Sequence, residues 1–76
     1  MYSNSESFYD GDGSLRSPDE AYSDYQGIIR QPSENYFDFE GILREPGESF
    51  YDGKDILRTP EENFYDSKGI LRKGQL

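Results

Sequence analysis

The sequence predicts an all-β fold, an antiparallel meander of five tandem 14-residue β-hairpin repeats, and three observations carry that prediction. A Glu recurs every 14 residues with no insertion or deletion. Asp and Gly stand at turn spacing inside every unit but one. Aromatic and aliphatic residues flank the turn in pairs, as two short strands require.

The repeat defines one domain, residues 5–74, made of units 5–18, 19–32, 33–46, 47–60 and 61–74, with tails at 1–4 and 75–76. Numbering each unit from 1 to 14, position 2 is Glu in every copy: Glu6, Glu20, Glu34, Glu48 and Glu62. Position 6 is Asp (Asp10, Asp24, Asp38, Asp52, Asp66) and position 12 is Arg (Arg16, Arg30, Arg44, Arg58, Arg72). Position 4 is always aromatic and position 11 always Leu or Ile, while position 14 is Pro in four units and Gly74 in the last. These rows form the structural repeat.

The turn comes first. Asp at the first corner of a type I turn bonds its own backbone two residues on, and Gly at the fourth tolerates the left-handed conformation of a G1 bulge. Gly13, Gly27, Gly41 and Gly69 fill that place, whereas the fourth unit reads "DGKD" and puts Asp55 there, which predicts a turn that differs. The strands follow from the turn: a three-residue loop sets position 5 opposite 11 and position 4 opposite 12. The return turn falls on R-x-P-x-E, where Pro fixes φ and lacks a donor, and Arg16 is expected to meet Glu20 across it. Arg at position 12 is expected beside the ring at position 4, in cation–π contact. Such an array makes contacts only between neighbouring units and is quasi-one-dimensional.

Three other architectures fit the sequence less well. A helix fails on punctuation, since Gly and Pro recur in every 14 residues. A β-solenoid with one coil per unit would stack rows of like charge directly on themselves. A largely disordered repeat array suits the scarce apolar residues (32%) and abundant charge (32%), but seven Tyr and five Phe in 76 residues argue for packing.

Composition restricts function. With no Cys and no His there are no disulfides, no thiolate ligands and no imidazole base. "DGDGS" at residues 10–14 opens like a calcium loop, but the equivalent stretches "DYQG", "DFEG" and "DSKG" lack the second Asp, so the reading is a capped turn and not a metal site. Five equivalent Glu residues with the same neighbours offer no pair with separated pKa values, as acid/base catalysis needs. The expectation is a non-enzyme without catalytic residues, cofactor or metal.

The formal charge of −8 opposes direct contact with nucleic acid and favours a protein partner with a basic surface. Acidity is uneven, running −2, −2, −3, −1 and 0 from the first unit to the last. The expected function is therefore binding of a protein partner through a repeated aromatic and acidic surface, as an inhibitor or nucleic-acid mimic in one version. Glu34, Glu40, Glu45, Tyr22, Tyr36 and Phe39 are its candidate contact residues. The alternative is a disordered multivalent array of linear motifs with phosphorylated Tyr. Open sheet edges predict a capacity for self-association. The opening "MYSNSESF" has neither a basic n-region nor an apolar h-region, and no apolar run exceeds three residues, so neither secretion nor a membrane span is expected and a cytoplasmic location is favoured. In architecture the unit resembles MORN and YD repeats, other β-hairpin arrays centred on an aromatic and a Gly turn; that resemblance implies a hairpin array and no function.

Overall fold

The computed structural model describes residues 6–74. The expected tails, 1–4 and 75–76, lie outside the described residues, as does Ser5. Each unit forms one two-stranded antiparallel hairpin: β1 (Phe8–Tyr9) with β2 (Leu15–Arg16), β3 (Tyr22–Ser23) with β4 (Ile29–Arg30), and β5 (Tyr36–Phe37) with β6 (Leu43–Arg44). The last two units pair β7 (Phe50–Tyr51) with β8 (Leu57–Arg58) and β9 (Phe64–Tyr65) with β10 (Leu71–Arg72). The register is the expected one, Phe8 facing Arg16 and Tyr9 facing Leu15, and the other four hairpins repeat it.

The turns work as the Asp/Gly spacing predicts. The Asp10 amide donates to the Ser14 carbonyl and the Gly13 amide to the Asp10 carbonyl, with Gly13 at φ +79°. The fourth turn does not differ from the others. Asp55 adopts φ +63° and its amide reaches the Asp52 carbonyl at 2.9 Å, so the Asp side chain accepts the left-handed conformation that Gly holds elsewhere.

The hairpins do not merge into one sheet; they remain five separate two-stranded sheets arranged in a ring. At each junction the position 7 amide donates to the position 5 carbonyl of the next unit, as in Gly11 to Ser23 (2.9 Å) and Gly53 to Tyr65 (2.8 Å). The fifth unit makes the same bond to the first, Ser67 to Tyr9, at 3.3 Å. Neighbour contacts thus dominate as a quasi-one-dimensional array requires, but the array has no free ends, which the sequence reading did not foresee. The Cα radius of gyration, 10.8 Å, matches the roughly 11 Å of a compact globular chain this long.

No described hydrophobic residue is fully buried. The interior is a ring of half-buried aromatics from position 4, joined edge to face in the cycle Phe8, Tyr22, Tyr36, Phe50, Phe64 and back to Phe8, with centroids 5.8 to 6.3 Å apart. Each such contact contributes about 0.5 to 1.5 kcal/mol beyond its buried area. The aliphatic residues of positions 10 and 11, Ile42 and Leu43 for example, lie on the outside and are roughly half exposed.

Candidate functional site

The most buried side chains are polar: Ser23 and the five Asp of position 6. A carboxylate removed from water is costly unless its acceptor sites are filled. Here all four sites of each Asp are filled. Asp38 Oδ1 accepts the amides of Glu40 and Ile42, both at 3.0 Å, and Oδ2 accepts Arg44 Nε at 2.9 Å and the Tyr51 amide of the next unit at 3.0 Å. Asp10, Asp24, Asp52 and Asp66 repeat the pattern, the last with the Tyr9 amide. Each Asp therefore folds its own turn with one oxygen and splices two units with the other. Burial by itself pushes these carboxyls up, but the amide bonds and the Arg outweigh it and hold all five below the ordinary Asp value.

Two expected pairings are corrected by this network. Arg16 does not pair with Glu20; its Nε lies 3.0 Å from Asp10 Oδ2, inside its own hairpin. The Glu20 carboxylate instead accepts the Ser17 amide at 2.7 Å, while the Glu20 amide donates to the Ser17 carbonyl, so the recurrent Glu clasps the return turn. Among the described residues only Arg44 approaches its Glu, Glu48, at 3.6 Å. The cation–π partner also differs. Arg at position 12 covers the position 5 ring of the following unit, as Arg30 covers Phe37 at 5.6 Å and Arg72 covers Tyr9 at 5.6 Å, because its guanidinium is drawn to the junction by the Asp. The first junction has Ser23 in place of the ring, and there the Ser23 hydroxyl bonds Asp12 at 2.7 Å.

The splice was missed because its donors are main-chain amides, which leave no mark on side-chain type. One signal was available. A turn of this kind accepts Asn as well as Asp, so five Asp and no Asn point to a use for the charge beyond the turn.

Two sites emerge on this frame. Along the axis runs a cavity of about 230 Å³, walled by the rows at positions 4, 5 and 6 and bounded by Gly11, Tyr25, four prolines, Glu6 and Lys73. The other lies at the turn end. Position 7 needs only its amide for the junction, and Gly11, Gly53 and Ser67 supply it with a small side chain. Units two and three instead carry Tyr25 and Phe39, exposed and edge to face at 5.5 Å. Tyr25 also borders the axial cavity, and partial burial, with help from the charges of Asp66 and Asp52, pushes its phenol up.

The candidate contact residues divide between these places. Tyr22 and Tyr36 are half-buried in the aromatic ring, the Tyr22 phenol pushed up to about 12 by burial and by Asp24. Phe39 is exposed beside Tyr25. Glu40 is exposed on the same turn, its pKa raised by a hydrogen bond with Asp55 of the next unit and by that residue's charge. Glu34 clasps the return turn through the Gln31 amide at 2.6 Å, and Glu45 is exposed there. They do not form one continuous repeated surface.

Among the described residues no group of three or more His, Cys, Asp or Glu is placed to hold a metal ion, and no helix is long and apolar enough to cross a membrane. Fold and site together define a closed β ring of five hairpins spliced by buried carboxylates. No family model, curated protein or solved structure matches the chain.

Proposed function

We propose that the protein is a non-enzymatic binding protein, and that its partner is a protein with a basic surface seated on the turn end of units one to three. The observation that carries this reading is the exposed pair Tyr25 and Phe39. The junction there uses only the amide, and three other units meet it with Gly or Ser, so the junction itself does not call for two aromatic rings at that end. Aromatic anchors ringed by charge are the usual centre of a protein interface.

Charge supports the same end of the molecule. The five Asp and five Arg cancel one another at the junctions, and at the turn end the first three units then carry the acidic side chains of Asp12 and Glu40, while Asp19 and Glu45 lie at the opposite, return-turn end. Position 8 at the hairpin tips changes from Asp12 and Glu40 to Lys54 and Lys68 in the last two units, so the acidic side has a defined edge. Occupying a nucleic-acid-binding surface of the partner is one form such binding takes. Self-association, the other expectation for the sheet edges, is confined to the outer strands, since each inner strand is engaged by the preceding unit.

The test is the affinity of a partner captured from the source cell and purified, measured in rising salt for the native chain and three variants. Tyr25→Ala/Phe39→Ala and Glu40→Lys are expected to weaken binding by tenfold or more, and Ile42→Ser/Leu43→Ser on the outer wall to leave it unchanged. Affinity that follows the outer-wall variant, or ignores salt, removes this reading.

A further inference from the structure

We propose that the axial cavity is a binding site for a free small organic cation, a quaternary or alkylated ammonium ion. The assignment does not rest on the protein partner at the turn end: the two sites share Tyr25, but the cavity is argued from the rows at positions 4 and 6.

Three features of the wall select this chemistry. The first is the direction of the ion pairs. All five Asp of position 6 are among the residues that line the cavity and none of the five Arg is, so the Asp member of every pair stands nearer the axis than the Arg, behind the surface of the wall. The pairs therefore leave a negative potential on the axis although each is neutral as a whole. The carboxyls are held below the ordinary Asp value and stay ionised at neutral pH.

The second feature excludes a bare metal ion. Every Asp side chain is sealed from solvent and its four acceptor sites are already occupied, so no oxygen of this row is free to coordinate. The ligand must take its attraction from field and surface, which suits a cation with an apolar coat and a low cost of leaving water.

The third feature is that surface. Five aromatic rings enclose the axis, and successive planes turn by 68° to 72°, the rotation a five-fold ring imposes when each plane runs along the axis. An alkylated ammonium ion within such a cage gains apolar contact from all five rings, and cation–π attraction from each ring that turns its face to it. The remaining charged wall groups, Glu6 and Lys73, are of opposite sign and lie together, with the Lys73 amide on Glu6 Oε1 at 2.9 Å.

The experiment titrates the full chain with choline chloride at constant ionic strength, and in parallel with 3,3-dimethyl-1-butanol, which has the same shape without the charge, following both by NMR. Choline is expected to saturate, to show nuclear Overhauser contacts from its methyl protons to the rings of Phe8, Tyr22 and Tyr36, and to bind about tenfold or more tightly than the neutral alcohol. Equal affinities would leave only an apolar hole and overturn the assignment. So would the absence of saturation, or contacts confined to the outer wall. Sedimentation with phosphatidylcholine vesicles without saturable binding of free choline would place the ammonium on a lipid surface and overturn it as well.

Discussion

Asp66 and Tyr9 stand 57 positions apart in the chain, and the Tyr9 amide donates to Asp66 Oδ2 at 3.1 Å. That bond is the copy, between last unit and first, of the one by which Asp38 holds Tyr51. The joint that closes the ring is thus chemically the same as those the chain makes in passing.

The carboxylate splice predicts a sharp contrast between two cations. Arg44→Ala takes one partner from buried Asp38 and is expected to cost about 3 kcal/mol, as breaking a buried pair does. Lys54 lies over the Tyr65 ring at 4.8 Å on the exposed side, and Lys54→Ala should cost about 0.5 kcal/mol. Urea midpoints report both. Similar shifts for the two variants would show that the Arg row is only solvated charge.

Acid should unfold the ring late and steeply. Each position 6 carboxyl titrates below the ordinary value of 3.8 in the folded chain, so its stabilisation is fully present above that pH and is lost as pH falls through the lower folded value. Five such groups protonate together once the ring opens. The expected result is a folded circular-dichroism signal retained down to 3.8 and a transition below it that takes up several protons. Unfolding centred well above that pH would contradict the carboxylate network.

Close approach at position 7 can be tested by adding one carbon. A Cβ on Gly53 would run into the Asp66 carbonyl across the junction, whereas one on Gly47 meets nothing. Gly53→Ala is expected to cost about 1 to 3 kcal/mol, and Gly47→Ala to be neutral or slightly stabilising. Thermal melts of the two proteins suffice. A harmless Gly53→Ala would mean that this junction opens at no cost from 2.8 Å to the 3.2 to 3.4 Å found where Tyr25, Phe39 and Ser67 hold position 7.

The closing joint also predicts that the chain can be cut elsewhere. Joining Gly74 to Ser5 continues the 14-residue phase without a linker, and Lys73 already donates to Glu6 as Gln31 does to Glu34. A permuted chain that starts at Ser33 and ends at Pro32 should fold with a urea midpoint close to the native one. A large loss of stability would show that the fifth joint differs from the other four.

The hairpin was legible in the sequence because its causes are local. Asp10 and Gly13 define a turn three residues long, and that turn alone sets Phe8 opposite Arg16 and Tyr9 opposite Leu15. Arg was visibly important but its partner was misplaced, since the register puts the Phe8 ring opposite Arg16 and the return turn brings Glu20 of the next unit back towards it. Closure was illegible for another reason. It depends on the angle between units, which is set by the position 7 amide and Asp Oδ2 acting on the next backbone, and position 5 accepts Tyr, Ser or Phe without altering that contact. Of the expected contact residues, Phe39 and Glu40 lie at the turn end while Tyr22 and Tyr36 turned inwards, because position 4 faces the axis in every unit.

The near-72° step between successive aromatic planes has a genetic consequence. An open solenoid lengthens by one repeat and keeps its other interfaces intact, so its copy number drifts freely. In this ring a sixth unit, or the loss of one, forces every junction to a new angle at once. Repeat number is therefore held at a whole value by geometry, and unequal crossing-over within the coding sequence yields chains that must change all their joints or none.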